Sequence, residues 1–379
     1  MQEVKSLVFL SNFFNHHQQP ASDAFFSHLG EGYLFIETEE MREERRNMNW
    51  GVSEYPSYVI PCNTFHENKA FYTKIIDEAD VVIYGSAPVW LIKRRLKKNR
   101  LTFRYSERPL KKGLEIWKYP YRFFRWRMLG FGHRQHYLLC ASAYAAKDYA
   151  RFLLFKDRCY RWGYFPKTYR YEDIGRLISE KNRNSIIWVA RFLDLKHPEA
   201  VIEAAKLLKR DGYDFRIEMI GNGELWDNML ARVQAESLEK EICLLGAITP
   251  EEVRTHMERS EIHIFTSDRN EGWGTVLNEA MNSACVPVAN VQIGSAPYLI
   301  DNGRNGFVYS TAEELYEKLK YLLDNNQERT EMGKCAYETV VTEWNAEKAA
   351  NRFLVLAQSL LNGDTDGVLY TSGVCSRAD

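Results

Sequence analysis

A chain of 379 residues exceeds what a single hydrophobic core usually organises, so its length favours two domains. Its 45% hydrophobic and 27% charged residues are ordinary for a globular protein, and a formal net charge of −1 argues against a general nucleic-acid binder. No apolar stretch approaches the roughly 18–20 residues needed to cross a bilayer.

The seven cysteines are scattered along the chain without a Cys-x-x-Cys pair. An odd, unclustered set is typical of reduced cysteines and not of a disulfide framework or a zinc site. The first apolar run, Leu7 to Leu10, is too short for the core of a signal peptide. We therefore expect a cytoplasmic protein.

Residues 1–165 carry short apolar runs that predict the strands of a first Rossmann-like α/β domain. These runs are Leu7 to Leu10, Tyr33 to Ile36, Val81 to Tyr84, Leu101 to Tyr105 and Tyr137 to Ala141. Polar residues follow two of them, Asn15 to Gln19 after the first and Glu107 after the fourth. Ligands of parallel sheets bind at the carboxyl ends of strands, so both loops are candidate binding segments.

Residues 93–134 contain fifteen Lys and Arg against two acidic residues, with seven aromatic residues interleaved from Trp117 to Phe131. One interpretation is a basic solvated helix that packs its aromatic side chains inward. Nucleic acid is a second, but no recognition fold surrounds the stretch and we expect no nucleic-acid partner. The third is an anionic membrane surface, which attracts cations and accepts aromatic rings at the headgroup level.

Residues 166–345 alternate apolar runs with helical patterns, the order typical of a parallel sheet covered by helices on both faces. The predicted strands are Ile186 to Ala190, Phe215 to Ile220, Ile242 to Leu245 and Ile262 to Phe265. The predicted helices are Pro198 to Lys209, Leu225 to Val233, Pro250 to Met257 and Thr275 to Ala284. A last helix is expected at 346–361, and residues 363–379 lack periodicity, which predicts a disordered tail.

The most informative segment lies between Glu271 and Glu279, where two carboxylates flank a glycine-rich turn into a helix. Gly272 and Gly274 allow backbone conformations that bring amides close to a ligand. A helix start offers free N–H groups and a partial positive charge that suit phosphate. Two carboxylates around such a turn can bind a polyol at two points, so a nucleotide-sugar is a matching ligand.

The Glu-x7-Glu pattern, with the following Ala280 and Met281 and the Pro287-Val288 strand, resembles the signature of retaining glycosyltransferases of the GT-B fold, family 4. This resemblance implies two Rossmann-like domains facing a cleft, with the helix 346–361 crossing back onto the first. It also implies transfer of a sugar from a nucleoside-diphosphate-sugar to an acceptor hydroxyl with retention of configuration. Bacterial cell-surface polysaccharide or glycolipid assembly is the role typical of such proteins.

The resemblance also assigns donor-site roles. Glu271 would hold the hexose hydroxyls and Glu279 the ribose hydroxyls, while Arg191 and Lys196, placed after the strand Ile186 to Ala190, would stabilise the departing diphosphate. The remaining donor-binding candidates are Gly221, Gly223, Gly246, Ser267, Gly272, Trp273, Gly274, Thr275 and Val276. For the glycines and Ser267, ordinary turn chemistry is the alternative interpretation.

The first domain would hold a glycan or lipid-linked acceptor, and its candidate contacts are His16, His17, Gln18 and Glu107. Asn15 to Gln19 replaces the glycine-rich turn that many family members have here, and a helix cap with satisfied histidines is the alternative. Glu107 either binds acceptor or pairs with Arg108. Adjacent histidines cannot easily chelate one ion, so His16 and His17 do not predict a metal site.

No cofactor or essential metal is expected. Asp364-Thr365-Asp366 matches the Asp-x-Asp of metal-dependent glycosyltransferases of another fold, but its place beyond the last predicted helix favours a chance match. Two other functions stay open: a nucleotide-sugar epimerase of the same fold, and an inactive scaffold that binds a nucleotide-sugar. The intact set of Arg191, Lys196, Glu271 and Glu279 argues against the scaffold.

Overall fold

The computed structural model describes residues 3–43, 51–52, 54–128, 133–364 and 369–379. The chain forms two compact units, one made of Met1–Lys167 and Trp344–Asp379 and the other of Thr168–Glu343. The second unit is thus inserted within the first. No helix of the described residues is long and apolar enough to cross a membrane.

The first unit is built on a parallel sheet in the order β3-β2-β1-β4-β5-β6-β7, counted over the described residues. Its strands are β1 Leu7–Ser11, β2 Tyr33–Glu37, β3 Val59–Ile60, β4 Val81–Tyr84, β5 Thr102–Ser106, β6 His136–Cys140 and β7 Cys159–Arg161. Most strand residues are buried because helices cover both faces of a parallel sheet, which explains the continuous apolar runs.

The α-helices of the first unit pack around this sheet. They span Gln19–Leu29, Cys62–Glu67, Lys69–Glu78, Lys93–Lys97, Tyr119–Met128, Ala145–Ala150 and Ala346–Leu361. The helix Ala346–Leu361 begins at Asn345, whose side chain accepts a hydrogen bond from the Lys348 N–H. Phe353 on its buried face contacts the rings of Phe25 and Phe103, so this last helix completes the core of the first unit.

The second unit repeats the same plan with a sheet in the order β10-β9-β8-β11-β12-β13 across its described residues. Its strands are β8 Ser185–Val189, β9 Arg216–Ile220, β10 Ile242–Gly246, β11 Ile262–Phe265, β12 Val286–Asn290 and β13 Phe307–Tyr309. All of these pairings are parallel, and every connection therefore has to cross over the sheet.

The α-helices of the second unit span Ile174–Ser179, Pro198–Arg210, Trp226–Ala235, Pro250–Arg259, Val276–Asn282, Ala296–Leu299, Ala312–Asp324 and Asn326–Thr342. The helix Pro250–Arg259 starts with the capping box that its sequence predicts: the Thr249 hydroxyl and the Glu252 carboxylate satisfy each other's backbone N–H groups. Together with the first unit, this architecture confirms the predicted two-domain GT-B fold.

The tail differs from its prediction. Residues 363–379 were expected to be disordered, but Cys375 and Ala378 donate backbone hydrogen bonds to Arg161 and Cys159 on β7. Val374 and Cys375 are buried, and Arg377 forms an antiparallel bridge with Tyr160. The sequence did not reveal this pairing with β7, because a single pairing at a sheet edge needs no repeated apolar pattern. Residues 365–368 lie outside the described part of the chain.

Candidate functional site

The predicted donor residues follow β8 and β11, the adjacent strands at which the order of the second sheet reverses. From β8 the chain proceeds outward through β9 and β10, and from β11 it proceeds the other way through β12 and β13. The loops at the carboxyl ends of such a strand pair diverge and leave a crevice between them. Arg191 and Lys196 are in the first loop and Glu271 is in the second.

The turn that carries Lys196 is fixed to the end of β11 by buried hydrogen bonds. Asp194–Lys196 forms a short 3-10 helix, and the Lys196 carbonyl accepts a hydrogen bond from the hydroxyl of Thr266. That hydroxyl accepts one in turn from the indole N–H of Trp188 on β8, at 2.9 Å. Because Trp188 and Thr266 are both buried, the position of Lys196 is set by the core.

Lys196 and Glu271 form an ion pair across the two loops, from Nζ to Oε2. The same carboxylate oxygen accepts a hydrogen bond of 3.0 Å from the hydroxyl of Ser267, which is fully buried. The side chains of Lys196 and Glu271 are only 14% and 16% exposed, so the ion pair is largely shielded from water but still accessible to it. The structure therefore brings three predicted site residues into direct contact.

Arg191 is exposed and is held by its backbone neighbours. The Gly221-Asn222-Gly223 turn after β9 packs against residues 190–192, where Phe192 N–H donates to the Asn222 carbonyl at 3.0 Å. Gly221 and Gly223 both have positive φ, and a Cβ at either would lie 2.0 Å or 2.5 Å from a carbonyl oxygen of Ala190 or Phe192. These glycines thus have a packing role that needs no ligand.

Gly246 ends β10 with a φ of +76°, and a Cβ there would make an ordinary van der Waals contact with the Trp226 ring at 3.9 Å. Its carbonyl accepts a hydrogen bond of 2.8 Å from the Gly221 N–H, which ties the ends of β9 and β10 together. A backbone contact to a ligand remains a prediction for Gly246, because nothing in its surroundings requires or prevents one.

The turn from Glu271 to Val276 is tight, as the glycines predict. Gly274 has a φ of +85°, and a Cβ there would come within 2.5 Å of the Phe265 ring. The helix begins at Val276 and ends at Asn282, which makes it shorter than the predicted Thr275 to Ala284. Gly272 is buried, whereas Thr275 and Val276 are partly exposed in the first turn.

Trp273 packs into the interior of the second unit. Its side chain is buried, its indole N–H donates to the Asn278 side chain at 2.9 Å, and its backbone carbonyl accepts a hydrogen bond from the Ser295 hydroxyl at 2.6 Å. These contacts involve the ring and the carbonyl, and donor binding by Trp273 stays a prediction that concerns its backbone amide.

Glu279 lies on the helix Val276–Asn282, and burial raises the pKa of its carboxyl group to about 7, against an opposing effect of the Arg254 charge. Arg254 donates hydrogen bonds to the Tyr171 hydroxyl at 3.2 Å and the Ser283 hydroxyl at 3.3 Å. Its guanidinium also stacks on the Tyr169 ring, 3.8 Å from the centroid. Glu279 is therefore poised to change its ionisation near neutral pH when a ligand or cation approaches.

The predicted acceptor residues follow β1, at the reversal point of the first sheet between β1 and β4. The Asn15 side chain accepts hydrogen bonds from the His17 and Gln18 N–H groups at 3.0 Å and 3.2 Å, which closes the turn before the helix Gln19–Leu29. The N-cap of that helix is Gln18, and no side chain caps it. His16 is exposed and its ring lies 3.9 Å from that of His17, whose pKa falls to about 3 because of burial and the neighbouring His16 charge. Acceptor binding by His16, His17 and Gln18 stays a prediction.

Glu107, after β5, pairs with Lys111 at 2.7 Å and accepts a hydrogen bond from the Tyr164 hydroxyl at 3.1 Å. The alternative prediction, an ion pair between Glu107 and Arg108, is wrong, because the Arg108 guanidinium pairs with the buried Asp148 at 3.4 Å. Glu107 nevertheless stays partly exposed at the carboxyl edge of the first sheet. Its part in acceptor binding is not decided by these contacts.

Residues 170–339 match the family model described as "Glycosyl transferases group 1". The matched range lies within the second unit and comprises 170 of the 379 residues. The match covers the whole crevice that holds Arg191, Lys196, Glu271 and Glu279.

Curated relatives of this chain share about a quarter of the aligned residues. N-acetyl-alpha-D-glucosaminyl L-malate synthase of Bacillus anthracis is 25% identical over 209 residues, 53% of this chain and 53% of the relative. Poly(ribitol-phosphate) alpha-N-acetylglucosaminyltransferase of Staphylococcus aureus is 25% identical over 45% of this chain and 34% of the relative. The matches thus span about half or less of these relatives.

Among solved structures, Anabaena HepE in complex with UDP superposes with a TM-score of 0.67 at 12% identity. The superposition covers 94% of this chain and 100% of HepE. At that identity the similarity establishes the fold alone, over both units.

Three residues of the second unit were missed by sequence reasoning: Trp188, Thr266 and Arg254. Thr266 directly precedes Ser267 at a strand end, which is a weak signal for a site neighbour. Nothing in the sequence marks Arg254, since its contacts with Tyr169 and Ser283 join distant segments. Across the residues that the structure describes, no group of three or more His, Cys, Asp or Glu side chains could hold a metal. Asp366 of the Asp-x-Asp motif lies outside them.

Proposed function

We propose that this chain is a retaining, metal-independent glycosyltransferase that moves a sugar from a nucleoside-diphosphate-sugar to an acceptor hydroxyl. The observation that carries the proposal is the contact of Lys196, Glu271 and Ser267 at the strand pair where the second sheet reverses. This set combines a cation for phosphate with a carboxylate for hydroxyl groups, held by the core within one group 1 domain. We further propose a role in cell-surface polysaccharide or glycolipid assembly.

Lys196 and Arg191 would bind the diphosphate. As the glycosyl–phosphate bond breaks, negative charge grows on the leaving diphosphate, and fixed cations stabilise it most in the transition state. Lys196 is already positioned by the Thr266 and Trp188 hydrogen bonds, so little reorganisation is needed. Arg191 is exposed and can approach once the donor is bound. Backbone amides from Gly272 to Val276 would add hydrogen bonds to the phosphates.

Glu271 would change partners when the donor binds. A phosphate that takes the Lys196 ammonium leaves the Glu271 carboxylate free to accept hydrogen bonds from hexose hydroxyls. Ser267 keeps donating to the same Oε2 atom and so holds the carboxylate in place during the exchange. Glu279, partly buried on the next helix, would bind the ribose hydroxyls in its ionised form.

A first experiment compares the melting temperature of the protein with UDP, GDP, ADP and CMP in metal-free buffer. The UDP named for HepE makes it the first nucleotide to test. A ligand at about 100 times its Kd adds roughly 2.7 kcal/mol to the free energy of unfolding, which a melting curve resolves. We expect one diphosphate to stabilise the protein, Lys196→Ala to weaken that response, and Lys334→Ala, an exposed control on another helix, to leave it unchanged.

A second experiment measures turnover of the stabilising nucleotide's sugar conjugates. Lys196→Ala should lower kcat by about 10²–10³ while donor KM changes much less, because the interaction is strongest in the transition state. Equal effects on kcat and KM would reduce Lys196 to a binding residue. Release of an isomerised sugar without acceptor product would favour an epimerase, and tight donor binding without turnover would favour a scaffold.

A further inference from the structure

The segment 111–128 of the first unit carries two apolar stripes, one of which faces the core. On the helix Tyr119–Met128, the rings of Tyr119 and Trp126 lie 5.0 Å and 4.5 Å from that of Phe152. Trp126 also lies 5.3 Å from Tyr149. This inward stripe anchors the helix to the helix Ala145–Ala150 and the turn that follows it, and it accounts for part of the aromatic content.

The second stripe points to solvent. Three of its members repeat at positions i, i+3 and i+7 of the helix Tyr119–Met128, which places them on one face, and two precede them in the 3-10 turn Ile116–Lys118. They are Trp117, Tyr121, Phe124 and Met128, together with the preceding Ile116, and each is between 64% and 81% exposed. Five large apolar side chains left in water on one short segment are a marked departure from a solvated helix and indicate an interaction surface.

Cations surround the outward stripe. Several basic residues of 93–134 are committed to the fold: Arg95 is buried among backbone carbonyls, and Arg108 pairs with Asp148. Within 111–128, however, six basic residues face a single acid, Glu115, which is already paired with Lys118 and Arg122. Arg125 and Arg127 are exposed beside Tyr121 and Phe124, so positive charge and apolar tips share one surface.

We propose that this surface, Lys111 to Met128, docks on an anionic lipid bilayer. Aromatic and aliphatic tips enter the boundary between headgroups and acyl chains, while the cations bind lipid phosphates around them. A second copy of the chain is a poor occupant, since it would place two strongly basic surfaces against each other. The negative charge of nucleic acid complements the basic residues, but nucleic acid provides no apolar environment for aliphatic side chains such as Ile116 and Met128.

The test is flotation of the full chain with vesicles of equimolar phosphatidylglycerol and phosphatidylcholine, compared with phosphatidylcholine alone. We expect binding to the anionic vesicles only, weakened by salt. Each basic residue near an anionic surface contributes about fivefold to partitioning, so Arg125→Gln with Arg127→Gln should lower it roughly 25-fold. Trp117→Ser with Phe124→Ser should lower it on the order of tenfold.

Matched controls lie outside the surface. Phe71→Ser removes an equally exposed aromatic ring from another helix, and Arg210→Gln with Arg304→Gln removes two exposed cations from the second unit. Both controls should bind like the wild type. No binding, equal binding to neutral vesicles, or equal loss in the controls would overturn the proposal. Two further results would also overturn it if Trp117→Ser with Phe124→Ser abolished them. One is self-association of the protein, and the other is binding of single-stranded RNA that is stronger than binding to vesicles. None of these assays needs a sugar nucleotide, so their outcome is independent of the proposed activity.

Discussion

Glu279 places an ionisable carboxyl group where water reaches it poorly, and its pKa of about 7 has a consequence for stability. In the unfolded chain this group ionises near its ordinary value of 4.5. Between these values the folded state holds a proton that the unfolded state has lost, so the free energy of unfolding falls as the pH rises. A shift of this size corresponds to roughly 3 kcal/mol in total.

Glu279→Gln removes this titration while keeping the shape of the side chain. We expect the variant to match the wild type near pH 4 and to exceed its free energy of unfolding by up to about 3 kcal/mol at pH 8. Urea unfolding at a series of pH values measures the difference. Glu331→Gln, an exposed glutamate of the same unit, should give a curve parallel to the wild type. A parallel curve for Glu279→Gln as well would contradict an elevated pKa.

Individual residues were predictable from the sequence when their role follows from backbone position. Lys196 and Glu271 lie after strands whose apolar runs were visible, and the contact between them follows from the meeting of the two loops at one sheet edge. The burial of the Trp273 ring was not predictable, because the direction of a loop side chain depends on the space beneath it. The elevated pKa of Glu279 depends on burial and on Arg254, neither of which spacing reveals.

At the scale of elements, the turn with Lys196 is held by one hydroxyl group that serves both β8 and β11. Thr266→Val keeps the volume but leaves the Trp188 N–H and the Lys196 carbonyl without that partner. Unpaired buried groups cost about 1–3 kcal/mol each, so the loss of partner for these two groups should lower the free energy of unfolding by about 2–6 kcal/mol. Turnover should fall by more than the loss of folded protein explains, because Lys196 loses its fixed position.

Thr266→Ser provides the control, since it retains the hydroxyl. It should preserve most of the activity and the nucleotide-induced rise in melting temperature. Calorimetry and initial rates on the three proteins separate the two effects. If Thr266→Val and Thr266→Ser lose activity equally, the hydroxyl does not position Lys196.

Most elements were visible in the sequence because buried parallel strands read as continuous apolar runs, and caps mark helix starts. The strand Ile262–Phe265 and the helix start at Pro250 agree with the structure to the residue. The strands Val59–Ile60 and Phe307–Tyr309 were missed, since two or three residues give no period to recognise. Their places are set by neighbouring strands and not by local propensity.

At the scale of the whole molecule, the tail covers the edge of the first sheet. Deleting residues 363–379 would uncover β7 and remove the buried Val374 and Cys375 side chains. Burial of two such side chains contributes on the order of 3 kcal/mol, so the first unit should melt at a lower temperature. Removal of Asp379 alone, which is exposed, is the control and should change nothing.

Differential scanning calorimetry with and without the stabilising nucleotide tests this deletion. The truncated protein should keep its nucleotide response, because the predicted donor residues belong to the second unit. Exposed strand edges promote aggregation, so the truncated protein should also precipitate sooner on heating. A melting curve identical to that of the wild type would show that the tail contributes nothing to the first unit.

The return of the last helix to the first unit has a consequence for synthesis on the ribosome. Phe353 fills a space between Phe25 and Phe103, two rings made long before it. The second unit, Thr168–Glu343, is contiguous and can fold as soon as it emerges, whereas the first unit must wait for the helix Ala346–Leu361 to close its core. The part of the first unit that is made first therefore completes its core after the second unit has been made.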